Sequence, residues 1–204
     1  AARQKNLDAA LENFTKAAAA AELYGDATAA DNYKKWVGKI YQMKGGEAFN
    51  TKDYATAVEV FEKGYAADPN NTAMALNLAM SYCELGEFEK GMDIYEAVAS
   101  KTHPKYAEDA ATAKKMMALY TNNEVAKLQG EGNFEGIIAL ADTQLAKNPT
   151  SALFQKVRLQ AYLGKKDYKS VIAHAEEAVA AQVDAEDQGD VYFLVGAAHN
   201  ALEQ

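Results

Sequence analysis

A chain of 204 residues, 49% hydrophobic and 25% charged, is long enough to bury a substantial core and has the balance of a globular protein. Its formal net charge of -8, with Arg3 and Arg158 the only arginines among 21 basic residues, works against a polyanionic partner, so no nucleic acid is expected. One cysteine, Cys83, excludes an internal disulfide and a thiolate metal cluster, and no apolar run reaches the roughly 18 residues that span a bilayer. Three prolines, 13 glycines and long alanine-rich runs predict helix throughout and no sheet. The compartment stays open between cytoplasm and periplasm, any targeting signal being expected outside this segment.

In chain order, residues 5 to 22 read as a first amphipathic helix. The clearest unit follows from Lys52 to Asn71. There Asp53 can cap a helix, Val58, Phe61 and Tyr65 recur at the spacing of a buried stripe, and Pro69, just past Asp68, stops it. The same helix returns. Its copies begin at Asn6, Asp53, Glu87, Asn133 and Asp167, each an Asn, Asp or Glu followed by a large apolar residue and another four further on. The starts lie 47, 34, 46 and 34 residues apart. That alternation, with Pro69 against Pro149 and Tyr82 against Tyr162, implies a longer period of about 80, as if a pair of helical hairpins had been duplicated. The long intervals add about 13 residues each, near 27 to 37 and 103 to 117, and both carry helix formers. They are expected to extend the first helix of a hairpin to about 25 residues, ~38 Å at 1.5 Å each. A separate short helix starting after Gly25-Asp26 or His103-Pro104 is the alternative. Residues 189 to 202, with Tyr192, Val195, Gly196 and His199, read as a first helix without its second.

These residues resemble the tetratricopeptide repeat family. Tyr41, Gly45, Ala48, Tyr54, Ala57, Phe61, Gly64 and Pro69 fall where that family places its large and small signature residues, as do Leu78, Ala79, Tyr82, Gly86, Phe88, Gly91, Tyr95 and Val98 in the next copy. Val125, Leu128, Gly132, Phe134 and Pro149 mark a third copy. Leu159, Tyr162, Tyr168 and Ala178 mark a fourth, without its closing proline. The resemblance implies an all-α, right-handed superhelical solenoid of antiparallel helix pairs with about ten helices. It implies one domain over 1–204: the second helix of a truncated repeat (1–25), repeats at 26–71, 72–105, 106–151 and 152–185, and a first helix at 186–204. Such a segment is expected to come from a longer array, and exposed terminal helices favour self-association. Gly64 and Gly91 inside helices cost about 1 kcal/mol each relative to alanine, so close approach of a neighbouring helix is expected there, with Tyr54, Phe61, Phe88 and Tyr95 filling the space between hairpins.

No constellation of catalytic residues emerges. Gly130-Glu-Gly132-Asn-Phe-Glu-Gly136 lacks the spacing and preceding strand of a phosphate loop, and Gly164-Lys165-Lys166 lacks an upstream glycine, so both read as turns. His103, His174 and His199 are far apart, and pairs such as His174 with Glu177 supply too few ligands for a metal. Cys83 reads as a small packing residue rather than a nucleophile. Adjacent acids such as Glu108-Asp109 diverge on a helix and give no acid-base pair. No enzyme activity and no cofactor are therefore expected. What remains is a groove. By resemblance, the first helices of successive hairpins line a concave wall that binds a protein or peptide, and here that wall holds Gln42, Asn50, Asn77, Met80, Glu84, Asn122, Lys156 and Gln160. Amides can satisfy an extended peptide backbone, and methionine gives an adaptable apolar contact. With Lys156 nearly the sole cation, the acidic chaperone tails clamped by one subfamily are not expected ligands.

Overall fold

One kind of turn, used five times, sets the course of the chain in the computed structural model, which describes residues 2–203 with side chains from Lys5 onward. Gly25, Lys52, Gly86, Gly132 and Lys166 each take a left-handed backbone, with φ from +61° to +88°. Each donates its N–H three residues back while its successor donates five back, as in Gly86 to the Cys83 carbonyl and Glu87 to the Tyr82 carbonyl. These are the paired bonds that satisfy orphan carbonyls at a helix C-terminus. The successor is at once the N-cap of the next helix. Asp26, Asp53, Asn133 and Asp167 accept the backbone N–H three residues on, whereas Glu87 makes no such bond. One helix is thereby closed and the next opened within two residues, which folds them into antiparallel neighbours.

The chain forms two compact units, residues 1–120 and 121–204. The first contains α1 (Ala2–Leu23), α2 (Ala27–Asn50), α3 (Tyr54–Ala67), α4 (Thr72–Glu84), α5 (Phe88–Ala99), a 3₁₀ turn (Pro104–Tyr106) and the start of α6 (Ala107–Gly130). In the second, the rest of α6 is followed by α7 (Phe134–Lys147), α8 (Ala152–Gly164), α9 (Tyr168–Ala173), α10 (Ala175–Ala181) and α11 (Ala185–Leu202). The fold is all-α, with no strand among the described residues. Consecutive helices pack from α1 through α5; in the second unit α7 packs on α8, and α11 packs on α8, α9 and α10.

The helix starts repeat at a fixed offset: α2 and α6 at 27 and 107, α3 and α7 at 54 and 134, α4 and α8 at 72 and 152, α5 and α9 at 88 and 168. Each differs by 80 residues, so positions 41–120 of the first unit have counterparts at 121–200 of the second. Both long intervals of the sequence run into helices of 24 residues, α2 and α6, the second preceded by the 3₁₀ turn at Pro104–Tyr106. The ends differ from expectation in one respect. Helix α1 already runs from Ala2, so Asn6 lies within it and cannot cap it.

Packing explains the helical glycines. A Cβ on Gly64 would lie 2.3 Å from Met74 Sδ and 2.6 Å from Tyr41 Cβ, and one on Gly91 would lie 2.4 Å from Cys83 Sγ and 2.9 Å from the Ala79 carbonyl oxygen. Both are points where α2, α4 and their neighbours come within backbone reach, the contact that offsets the lower helix propensity of glycine. Around Gly64 the first unit buries Ala57, Val58, Phe61, Met74, Leu78 and Tyr82. In the second unit the core is Leu159, Val171, Ala178, Val191, Leu194 and Ala198. Each large side chain so buried contributes about 1.5–3 kcal/mol.

Candidate peptide-binding cleft

Counterparts that differ in size decide where a cleft can open. In the first unit Phe61 fills the space above Gly45: a Cβ there would meet its ring at 2.5 Å. Phe49 packs edge-on to Tyr54 beside it, ring centroids 5.2 Å apart. Their counterparts 80 residues on are Ala141, Val125, Gln129 and Phe134. Two aromatic rings are thus replaced by a methyl group and an amide. The second unit has a cleft of about 430 Å³, walled by Val125 and Gln129 of α6, Phe134 and Ile137 of α7, Val157 and Gln160 of α8, and Leu194 of α11. Gln129 and Gln160 are exposed while Ile137 and Val157 are buried. An apolar floor with two amides at its rim can hold an extended chain, side chains inward and peptide groups on the amides.

The eight groove residues expected from the sequence fall on α2, α4, α6 and α8. In the first unit Gln42, Asn77 and Met80 are half-buried, and Asn50 and Glu84 are exposed. Asn77, Met80 and Glu84 share one face of α4 by spacing. Glu84 is already engaged, accepting the Tyr120 hydroxyl at 2.7 Å. Burial first, and then this carboxylate, hold the Tyr120 phenol well above its ordinary range. In the second unit Asn122 and Gln160 are exposed and Lys156 is half-buried. Lys156 is bonded to Asp190 and lies 3.7 Å from Asp187, both on α11, so it fastens two helices instead of presenting a cation. Of the eight, Gln160 alone lines the second-unit cleft. Sequence reasoning missed Val125, Gln129 and Leu194. The signal was present in the loss of Phe49 and Phe61 at the 80-residue offset.

The turn readings of the glycine-rich stretches agree with the structure, since Gly132 and Lys166 are left-handed turn residues. Cys83 is half-buried against Gly91, and burial pushes its thiol up to about 12, the reverse of an activated nucleophile. Among the described residues no group of three or more His, Cys, Asp or Glu converges as a metal site. No helix among them is long and apolar enough to cross a membrane.

Antiparallel helix pairs joined by a recurrent turn, with an amide-rimmed cleft, define a helical-repeat protein. Residues 48–120 match the family model described as tetratricopeptide repeat. Among solved structures it is similar to the crystal structure of the P58(IPK) TPR domain, at 15% sequence identity and a TM-score of 0.33, covering 95% of this chain. It spans 66% of that chain, just under two thirds. Comparison with curated proteins gives no match.

Proposed function

We propose that this chain is a non-catalytic interaction scaffold that holds an extended segment of a protein partner. The observation that carries the reading is the second-unit cleft, apolar within and rimmed by Gln129 and Gln160, on the first helices where this family lines its groove. Asn122 is a further exposed amide on α6, and Gln42, Asn50, Asn77 and Met80 are the corresponding candidates in the first unit; Glu84 and Lys156 act through their helix ties. The acidic chain favours partners that are neutral or basic over acidic ones. An unbiased peptide-display selection against the protein, followed by calorimetry on the enriched peptides, tests it. Enriched peptides should bind with Kd in the micromolar range and lose at least tenfold affinity on Gln129→Ala plus Gln160→Ala. Selection that enriches nothing, or peptides indifferent to both substitutions, overturns it.

A second reading, self-association or service as a structural or regulatory module of a larger enzyme or envelope assembly, is favoured by α11. Its Tyr192 and Phe193 are 60% and 75% exposed, and nothing lies within 4 Å of a Cβ at Gly189 or Gly196. A helix with two bare rings between two glycines offers a surface for another helix. Sedimentation velocity over a hundredfold range of concentration distinguishes it: the average mass rises if α11 pairs, and stays at that of one chain otherwise.

A further inference from the structure

A different set of exchanges between the two units builds a second cleft, away from the one described above. In the first unit Ala75 and Leu78 are buried residues of α4, Tyr65 and Ile94 pack against the core that holds Leu78, and Ala97 is exposed on α5. Their counterparts are Gln155, Arg158, Leu145, His174 and Glu177. An apolar contact has become a polar cluster, and the large Tyr65 ring has shrunk to Leu145. The result is a cleft of about 510 Å³ between α7, α8 and α10, with Leu145, Ala146, Ala180 and Ala181 as apolar walls. Arg158, 9% exposed, is at its floor. Its Nη2 donates to Gln155 Oε1 at 2.7 Å and Glu177 Oε2 at 3.1 Å, and its Nη1 to Asp142 Oδ1 at 3.4 Å. Gln155 is itself anchored, donating to the Pro149 carbonyl at 2.9 Å. The guanidinium is buried but its two acids are half or more exposed, and ion pairs to exposed acids add little to stability, so stability does not account for this exchange.

We infer that this cleft receives a lysine or arginine side chain presented by a polypeptide partner. Three features specify that ligand. Charge comes first: one guanidinium against two carboxylates leaves the cleft at -1, so a cation is favoured and an acidic group would have to displace both acids. Geometry follows, because Arg158 engages one oxygen of each acid, Oδ1 of Asp142 and Oε2 of Glu177, and a carboxylate has a second oxygen with which to accept an incoming donor. The walls match a methylene stem, which would lie along Leu145, Ala146, Ala180 and Ala181. A peptide brings a backbone and neighbouring side chains as well as its cation, whereas a polyamine brings only amines, so the apolar walls favour the polypeptide.

Arg3 and Arg158 are the only arginines, so the Nε–H region of an amide NMR spectrum holds two side-chain signals, and Arg158→Lys assigns them. The full chain is titrated with acetyl-Ala-Lys-Ala-amide, with the same peptide carrying norleucine or glutamate at the centre, and with spermidine. The lysine peptide should shift the Arg158 signal and the amides of Ala180 and Ala181 in a saturable way, at least tenfold more tightly than the norleucine and glutamate peptides and spermidine. Asp142→Asn with Glu177→Gln should weaken it by tenfold or more with the amide spectrum otherwise unchanged. Gln129→Ala with Gln160→Ala should leave it intact, which separates this site from the groove. Equal response to the norleucine or glutamate peptide, equal response to spermidine, an unmoved Arg158 signal, or indifference to the double substitution each overturns the assignment.

Discussion

Lys52 and Lys166 occupy turn positions that glycine holds in the three sister turns, at φ of +61° and +63° where an L side chain is strained. Holding a side chain there costs on the order of 1 kcal/mol. Lys52→Gly should therefore stabilise the protein by about 0.5–1 kcal/mol, and Gly86→Lys should destabilise it by a similar amount, both read from urea midpoints at constant m-value. The other informative residue is Cys83. Because burial holds its thiol near 12, alkylation by iodoacetamide at pH 8 should run roughly a thousandfold slower than for a free thiol and accelerate to the free rate in denaturant. A native rate close to the free one would mean that the Gly91 contact is open in solution.

Among elements, the exchange between Gly45 with Phe61 and Val125 with Ala141 makes a prediction that neither pair makes alone. Gly45→Val should cost about 1–3 kcal/mol because the fully buried Phe61 ring cannot retreat. Phe61→Ala alone should cost about 3–5 kcal/mol. The double variant reproduces the combination used by the second unit, and a double-mutant cycle should show it to be less destabilised than the sum by at least 1 kcal/mol. Conversely, Gln155→Ala, Arg158→Leu and Glu177→Ala restore the first unit's residues at those three positions and should leave stability unchanged or raise it by up to about 1 kcal/mol.

Such exchanges mark the limit of what could be read from the sequence. Helix starts were legible because Asp53, Asn133 and Asp167 are polar caps placed before aromatic residues, and α2 and α6 were legible from the helix formers that fill the long intervals. The role of Gly64 and Gly91 followed from helix propensity. The break at His174, which divides α9 from α10, was not legible. It coincides with a ring that stacks on Tyr162 of α8 at 5.7 Å, a contact between elements that no local pattern announces. Nor was the binding of Lys156 to α11, since a half-exposed lysine looks the same in sequence with or without an acid across from it.

For the molecule as a whole, the ionisable groups predict a stability plateau with losses on both sides. Hydrogen bonds from Ser170 and Thr56 lower Asp167 and Asp53, and Arg158, then His174, lowers Glu177. A lowered carboxylate stabilises the fold above its unfolded value of about 4 and loses that contribution as pH falls through the folded value. On the alkaline side, burial raises Cys83, Tyr82, Tyr95 and Tyr120, so the folded state keeps protons that the unfolded chain releases. Stability must then decline as pH climbs beyond about 8.5. Thermal melts followed by circular dichroism should be highest between about pH 5 and 8, with the alkaline fall reduced in Cys83→Ala.

The turn geometry shared by Lys52 and Gly132 bears on heredity as well as on shape. Crossing over at that pair of codons, in either direction, joins a helix end to a compatible cap and leaves no seam in the reading frame. A gene built this way can gain or shed whole blocks in a single recombination event, so the number of blocks is free to drift between lineages while every joint stays intact.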